Sequence, residues 1–419
     1  MDFKLSDDQR ALQEAARRYA KDVVRPKAAY YDRTAEFPKD VIAKAFELGL
    51  MNMVVPTEYG GVGLPHVEQA IVTEEIAWGD SSVATSLVAN DLALLPIVIG
   101  ATHEQKQRFL APFAEKLKFA SFCLTEPGAG SDVAGMSTTA RREGDEYVLN
   151  GAKMFITNGG VADQFTVFAT MDKKLKHKGI TCFVVEGKPK GLTVGQHLDK
   201  MGQRASNTVE LVFEDVRVPV ANRVGEEGEG FKIAMQTLDN SRPLTAMFAI
   251  GIARAAMEHA IDYAKQRQQF GKPISEFQAI QFMLADMGMN IAAARLLTYQ
   301  AAWQLDVGER NTLFSSYGKS FAADMAMKVE AARALTRLDA LPSVAGVVAR
   351  LAVVDALNSL AVKEPTSSSC RPRRLKPLRR PKVNRQSNSS PGAALPNSRF
   401  WPPPGDKRLN RRTTWPPSK

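Results

Sequence analysis

The chain of 419 residues is 44% hydrophobic and 24% charged, which is typical of a globular protein with two or three domains. Its formal net charge of +10 is concentrated at one end: residues 363–419 hold 15 Lys and Arg but only two acidic residues, whereas the residues before them hold 40 basic and 43 acidic side chains. This distribution argues against nucleic-acid recognition by the globular part.

Three further features limit the class of protein. Uninterrupted apolar runs are shorter than the roughly 18 residues that cross a bilayer, and the N-terminus lacks the apolar core of an export signal. Cys123, Cys182 and Cys370 have neither metal-ligand nor paired spacing, and no H-E-x-x-H or carboxylate cluster occurs, so we expect no metal site. The cysteine pattern favours a reduced, cytoplasm-like compartment.

Helices are predicted for residues 1–117. Ser6 and Gln9 form a capping box before a segment with an apolar residue every three or four positions. Pro and Gly separate the helical segments that follow. These are "PKDVIAKAFELGL", "VEQAIVTEEIAWG", "SSVATSLVANDLALL" and "THEQKQRFLAPFAEK".

The pattern changes in residues 118–228 to short segments rich in Val, Phe, Thr and Ile, such as "EYVLNGAKMFIT" and "TVELVFEDVRVP". No helix-length segment lies between them, which predicts an antiparallel β-sandwich or barrel rather than parallel βαβ units.

Three long helical segments in residues 229–361 predict a helical bundle, with "VAGVVARLAVVDALNSLAV" as the candidate fourth helix. Residues 362–419 are rich in Arg and Pro and predict a disordered basic tail. The predicted fold class is therefore a multi-domain α+β protein: an N-terminal helical domain, a central antiparallel β domain, a C-terminal helical bundle and the tail.

The segment "LTEPGAGSD", residues 124–132, places two glycines, a proline and hydroxyl and carboxylate side chains after an apolar run. It lacks the G-x-G-x-x-G spacing and the crossover helix of a Rossmann site, and no G-x-x-x-x-G-K-[ST] loop occurs in the sequence. By itself, the segment is either an ordinary tight turn or a loop that approaches a cofactor.

Longer motifs favour the second interpretation. They are "FCLTEPGAGSD", "NGAKMFITNGG", "MGQRASNTVELVFEDVRVP", "GFKIAMQTLDNSRP" and "RQQFGKPISEFQAIQFMLADM". Together they make residues 3–329 resemble the acyl-CoA dehydrogenase family, closely its medium- and short-chain members. The resemblance implies the same helix–β–helix order, bound FAD and a homotetramer. It also implies α,β-dehydrogenation of a fatty acyl-CoA to the trans-2-enoyl-CoA, as in fatty acid β-oxidation, with an electron-transferring flavoprotein as electron acceptor.

The resemblance further implies a flavin site built from three segments. Residues 122–131 would line one side of the flavin with main-chain N–H groups and the Thr125 and Ser131 hydroxyls. Phe155 would cover one flavin face where the family has Trp, with core packing as its alternative role. Residues after the first bundle helix would bind the FAD of a neighbouring subunit. The implied cofactor-binding residues are Phe122, Leu124, Thr125, Gly130, Ser131, Phe155, Ile156, Thr157, Arg267, Gln268, Gln269, Phe270, Phe277 and Gln278.

The implied substrate-binding residues match family positions near the CoA and acyl entrance. They are Ser131 and, in "LDNSRP", Asp239, Ser241 and Arg242. An arginine before a proline inside a helical pattern favours a functional role over a purely structural one.

The catalytic base is not identified by this sequence. The family base is a glutamate in a "YEGT" segment, expected near position 362, where this chain has "LNSLAVKEPTSSS". Glu364 is close by count, but its context does not match, and Ser241 stands where some relatives carry the base before the "RP" arginine. The "FGG" loop of the family is also absent. The sequence therefore predicts little or no turnover.

Three alternatives stay open. A non-catalytic FAD- or acyl-CoA-binding protein would lack only the base, and an acyl-CoA oxidase would differ in oxygen access to the flavin. The tail segment "RPRRLKPLRRPK" could bind nucleic acid or an acidic membrane surface, and a solvated disordered tail is the simpler interpretation. We expect a cytoplasmic location in a bacterium and the mitochondrial matrix in a eukaryote.

The abrupt end of the resemblance at Val329 predicts a shift of the coding frame. The Ala-, Arg-, Pro- and Val-rich residues beyond it are typical of a GC-rich gene translated out of frame. We expect the coding DNA, translated in its other forward frames, to contain the missing "FGG" and "YEGT" segments. If neither segment appears, the C-terminus is a genuine divergent extension.

Overall fold

The computed structural model describes residues 4–331, apart from the side chains of the last two. The predicted fourth bundle helix, the basic tail, Cys370 and Glu364 lie outside the described residues.

The first part of the chain is helical, as predicted. Gln9 N donates to Ser6 Oγ (3.1 Å) and Ser6 N to Gln9 Oε1 (3.0 Å), which confirms the capping box. The helices are α1 Asp7–Tyr19, α2 Arg25–Thr34, α3 Lys39–Glu47, α4 His66–Gly79, α5 Ser81–Gly100, α6 His103–Phe109 and α7 Ala111–Glu115.

A single sheet follows, with strand order β6-β7-β3-β2-β4-β5-β8 and β1 paired to β4. The strands are β1 Ala120–Cys123, β2 Thr139–Glu143, β3 Glu146–Thr157, β4 Gln164–Thr170, β5 Ile180–Glu186, β6 Leu192–His197, β7 Thr208–Pro219 and β8 Arg223–Val224. Most pairings are antiparallel, as predicted, but β1–β4 and a single bridge between β2 and β4 are parallel. The sequence does not show these parallel pairings because strands distant in sequence form them.

Strands β4 and β5 are buried on both faces. Phe165 and Phe183 belong to the core of the sheet, whereas Phe168 and Val184 belong to a second core shared with α5, α6 and α7. This alternation follows from the two-residue period of a strand. The helical part and the sheet are therefore joined by a continuous apolar contact.

Long helices form the last described part. They are α8 Gly230–Gln266, α9 Gln278–Asp306 and α10 Thr312–Ala331, with the short hairpin β9 Gln268–Gln269 and β10 Lys272–Pro273 between α8 and α9. Met247, Ile250, Ile291 and Met325 are buried among them.

Charged side chains also join the N-terminal helices to the bundle. Glu74 and Glu75 of α4 are almost fully buried, and Arg254 Nη1 lies 2.8 Å from an oxygen of each. Arg295 of α9 makes two further hydrogen bonds to Glu74, each 2.8 Å. Burial alone would raise the pKa of Glu74, but Arg295 and Arg254 outweigh it and lower the pKa below its usual value.

Two helices in the described part of the chain, α5 and α8, are long and apolar enough to cross a membrane by length and composition alone. This differs from the expectation drawn from uninterrupted apolar runs. In their most apolar windows, 67% and 56% of the residues are buried inside the protein, as in helices that form a core.

Candidate functional site

The loop after β1 is held to β3 by a buried ion pair. Lys153 Nζ lies 2.8 Å from Glu126 Oε1 and 3.1 Å from the Leu124 carbonyl oxygen, and both charged side chains are at most 1% exposed. Glu126 also accepts hydrogen bonds from Ser137 N (2.6 Å), Ser137 Oγ (2.7 Å) and Thr138 N (3.0 Å). The glutamate of "LTEPGAGSD" and the lysine of "NGAKMFIT" therefore form one structural unit.

The partners of Glu126 determine its charge. Burial raises the pKa of its carboxyl group, but the Lys153 ammonium and the hydrogen bonds from Lys153, Thr138 and Ser137 outweigh this and hold the pKa at about 2. The side chain is therefore ionised at neutral pH.

The outer side of the loop is open. A Cβ added at Gly128 or Gly130 would meet no atom within 4 Å, and neither glycine has a left-handed φ. Nothing in the described chain thus requires glycine at these positions. The N–H groups of Gly130 and Ser131 have no acceptor among the described residues. Space and free donors together fit a polar or anionic ligand that approaches the main chain.

Phe155 lies next to this loop in an unusual conformation. Its φ is +62°, which is rare for a bulky side chain and costs about 1–3 kcal/mol. It falls at a bulge between Lys153 and Ile156 in the pairing of β3 with β7. The neighbouring Met154 N donates to Thr125 O (2.9 Å). The bulge leaves the Phe155 side chain 50% exposed beside the loop.

The other predicted cofactor-binding residues near the loop and Phe155 differ in how deeply their side chains are buried. The side chains of Leu124 and Ile156 are buried in the protein cores, and Phe122 packs on Phe168 with ring centroids 5.1 Å apart. Only the main chain of Leu124 and Ile156 can therefore face a ligand, whereas Phe122 is half-buried. Thr125 and Thr157 are half-buried and Ser131 is exposed.

The predicted residues after α8 lie on the β9–β10 hairpin and at the start of α9. Arg267, Gln268, Gln269, Phe270 and Gln278 are exposed, Phe270 to 92%, and the ring of Phe277 lies 4.7 Å from Lys272 Nζ. Strand β10 of the hairpin packs on α8. The structure therefore places these residues in a separate projecting group, apart from the loop and Phe155.

The "LDNSRP" segment lies within α8 and forms hydrogen bonds with the start of α10. Because Pro243 has no N–H, the carbonyl of Asp239 lacks its helical donor, and Asn311 Nδ2 donates to it instead (2.9 Å). The Asp239 carboxylate accepts from Thr312 Oγ1 (2.6 Å) and pairs with Arg242. Asp239 thus has a structural role within the chain, while the Arg242 side chain stays about one-third exposed.

A small cavity of about 10 Å³, large enough for about one water molecule, lies beside this segment between α4, α5 and α8. Ser241 lines it together with Gln69 and Asp91, which sequence reasoning missed. His66 at the mouth is held by Asp306 Oδ1 (2.8 Å from Nδ1) and by Asn240 Oδ1 (3.2 Å from Nε2). The sequence signal that could have pointed to this cavity was Asp91, the single charged residue of helix α5.

Asp91 differs from Glu126 in its surroundings. Its side chain is fully buried, and its carboxyl accepts a hydrogen bond from Val54 N (3.3 Å). Burial raises the pKa of Asp91 to about 7, because the main-chain hydrogen bonds from Val54 and Met53 compensate only in part for the lost hydration.

Comparison with known proteins identifies the family. Models of the acyl-CoA dehydrogenase N-terminal, middle and C-terminal domains match residues 6–116, 121–216 and 228–336. A short-chain specific acyl-CoA dehydrogenase of Megasphaera elsdenii is 43% identical over 334 residues, which cover 78% of this chain and 87% of the relative. The chain belongs to the acyl-CoA dehydrogenase family.

This membership confirms the predicted family and fold class. Acyl-CoA dehydrogenases are FAD flavoproteins that act on CH–CH bonds. The C-terminal family match ends at residue 336, close to the predicted departure at Val329.

Further relatives agree. A probable medium-chain specific acyl-CoA dehydrogenase 2, mitochondrial, of Caenorhabditis briggsae is 41% identical over 326 residues, which cover 77% of this chain and 79% of the relative. The structure of butyryl-CoA dehydrogenase from Megasphaera elsdenii is similar with a TM-score of 0.81 and 40% identity, over 84% of this chain and 94% of that chain. A chain from a structure of the electron transferring flavoprotein of Acidaminococcus fermentans gives the same TM-score and identity, over 86% and 95%.

We predict that breaking the Glu126–Lys153 pair from one side destabilises the protein. Lys153→Met should lower the free energy of unfolding by about 3–5 kcal/mol, because it leaves a buried carboxylate unpaired. Urea denaturation measures this loss. The double variant Lys153→Met with Glu126→Gln should recover part of it, and equal stability of Lys153→Met and the wild type would contradict the assigned role.

Because the pKa of Asp91 is raised, we predict that the stability of the protein depends on pH. Between about pH 4 and pH 7 the native state keeps a proton that the unfolded state releases, so the contribution of Asp91 to stability falls as pH rises, by about 1.4 kcal/mol per pH unit. Asp91→Asn should remove this slope, which denaturation at pH 5 and pH 7 measures. The exposed Asp8→Asn is the control. A slope unchanged in Asp91→Asn would refute the prediction.

Proposed function

We propose that this chain binds FAD between the 124–132 loop and Phe155 and acts on a short- or medium-chain acyl-CoA thioester. The observation that carries the proposal is the left-handed, half-exposed Phe155 beside two glycines that no contact within the described chain requires. A strained aromatic residue next to open main chain is typical of a ligand-binding surface.

The residues present fit the flavin. The free N–H groups of Gly130 and Ser131, with the hydroxyls of Thr125 and Ser131, would donate hydrogen bonds, and Phe155 would cover one face of the ring. Phe122, Leu124, Ile156 and Thr157 would contribute main-chain contacts. When bound, FAD accepts a hydride from the β-carbon of the acyl group.

The substrate would enter beside the "LDNSRP" segment. The partly exposed Arg242 guanidinium and the Ser241 and Ser131 hydroxyls are the polar groups proposed for the CoA thioester, and Asp239 orients Arg242 through their ion pair. Ser241 lines the small cavity beside this segment. Removal of the α-proton needs a carboxylate base close to the substrate, and Ser241 cannot supply one. We therefore propose low turnover for the chain as written.

We also propose an assembly of several copies, in the form of a homotetramer. Phe282, Met289, Leu296 and Trp303 recur every seven residues along α9 and are between 48% and 63% exposed, a pattern that favours helix packing. The projecting group of Arg267, Gln268, Gln269, Phe270, Phe277 and Gln278 would then reach the FAD of a neighbouring copy.

The relatives support a proposal for the biological setting. We propose an electron-transferring flavoprotein as electron acceptor and a role in fatty acid β-oxidation. The location would be the cytoplasm of a bacterium or, in a eukaryote, the mitochondrial matrix. The proposed division of the chain is 1–117, 118–228, 229–361 and 362–419.

A base introduced at Ser241 tests the proposal. Ser241→Glu places a carboxylate in the segment proposed for substrate binding, and we expect anaerobic bleaching of the flavin band by butanoyl-CoA to become about 100-fold faster than in the wild type. Ser241→Gln has the same size but no base and serves as the matched control. Stopped-flow absorbance spectroscopy gives the rates.

The other outcomes separate the parts of the proposal. A wild-type protein that already bleaches at the Ser241→Glu rate would possess another base, with Glu364 the first residue to replace. A purified protein without a flavin band would refute FAD binding by this chain.

A further inference from the structure

The end of strand β3 has left-handed backbone on both sides of Ile156 and Thr157. Phe155 has a φ of +62° and Asn158 a φ of +61°, and a residue in this region persists only where its surroundings hold it there. Asn158 is fully buried. The two residues whose main chain is proposed to face the flavin therefore lie between two residues that the rest of the structure must hold in place.

Hydrogen bonds hold Asn158 and its neighbour from three sides. Asn158 N donates to Asn207 O (2.8 Å), just before β7, and Asn158 Nδ2 donates to Ser86 O on α5 (2.8 Å). The Thr157 carbonyl oxygen accepts from Ser121 Oγ on β1 (2.9 Å). Both polar groups of the peptide between Thr157 and Asn158 are thus bonded, and α5 holds the side chain that follows it.

The amide of Asn158 belongs to a row of three buried asparagine side chains. Asn90 Oδ1 accepts from Ala120 N at the start of β1 (2.8 Å) and lies 3.4 Å from Asn158 Nδ2. Asn90 Nδ2 donates to Asn52 Oδ1 (2.9 Å), and Asn52 Nδ2 donates to Phe113 O (2.8 Å). All three asparagines are at most 3% exposed. A buried amide network of this kind is rigid, so it fixes β1 and the end of β3 to the N-terminal helices.

The partners of Asn158 also determine which way its amide points. Ser86 O and Asn90 Oδ1 are both acceptors, so the side chain must present its NH₂ group to them. Its Oδ1 is buried and has no donor among the described residues, which costs about 1–3 kcal/mol. An asparagine with this cost and a left-handed φ is typical of a position that serves a functional site.

We propose that Asn158 is a positioning residue: through Ser86 it holds Thr157 against the bound FAD and thereby raises the reduction potential of the flavin. This inference rests on the proposed function. Thr157 is half-buried, and its hydroxyl makes no hydrogen bond to another described residue, so it can donate to a ligand. A donor that is fixed beside the flavin stabilises the more electron-rich reduced form in preference to the oxidised form.

The test measures the reduction potential of the bound FAD by anaerobic titration with dithionite in the presence of a reference dye, which needs no catalytic base. Asn158→Gly keeps the left-handed backbone without strain but removes the hydrogen bond to Ser86 O. We expect the reduced flavin to lose about 10-fold more affinity than the oxidised flavin. This difference lowers the potential of the two-electron couple by about 30 mV.

Two further variants separate positioning from general stability. Asp215→Gly is the matched control, because Asp215 is also left-handed (φ +51°) and its side chain accepts from Asn150 Nδ2 (2.9 Å), in the other half of β3. The potential should stay unchanged in this control. Ser121→Ala removes only the hydroxyl that donates to Thr157 O, and it should lower the potential by a smaller amount than Asn158→Gly.

Two results would overturn the inference while leaving the proposed function intact. One is an unchanged potential in an Asn158→Gly protein that retains its FAD. The other is an equal shift in Asp215→Gly, which would mean that any loosening of the sheet has this effect. If Asn158→Gly does not fold or does not retain FAD, Ser121→Ala decides, and an unchanged potential there overturns the inference. A wild-type protein without a flavin band would instead refute the proposed function itself.

Discussion

The buried pair of Glu126 and Lys153 is the constraint on which the candidate flavin site depends. Neither charge can be separated from the other without a large desolvation cost, so the loop after β1 must stay against β3. Because strand side chains alternate in direction, an inward Lys153 would also turn Phe155 inward. The bulge with its left-handed φ interrupts the alternation, directs Ile156 into the core and leaves Phe155 exposed beside the loop. A single ion pair thus positions both the loop and the aromatic residue.

Two buried carboxyl groups show how partners, rather than burial alone, determine charge. Glu126 faces an ammonium and several N–H and O–H donors, which hold its pKa at about 2. Asp91 is also buried but faces mainly apolar side chains, and its pKa is raised to about 7. The first group is therefore a fixed anion that organises the main chain. The second can exchange a proton near neutral pH, and its free oxygen faces a cavity.

The surroundings of that cavity are held by contacts between helix ends, one of which replaces a hydrogen bond that α8 lacks. Pro243 removes one hydrogen bond from α8, and Asn311 at the start of α10 replaces the missing donor. Asp306 accepts from the N–H groups of His66 and Val67 at the start of α4 (2.6 and 3.0 Å). Ends of three helices therefore meet around Ser241, so the residues proposed for substrate binding are held by the packing of the bundle.

The sequence by itself determined the order of helical, β and helical parts, the capping box at Ser6 and the family, because periodicity, capping and long motifs are local properties of the chain. It also located the loop and Phe155. The tertiary structure alone decided that Glu126 pairs with Lys153, that β1 runs parallel to β4, and that Asp91 shares a cavity with Ser241. These features join residues far apart in the chain, and a buried charge carries no local sign of its partner. Only packing in three dimensions determines which charges lose water together and which oxygen is left without a donor.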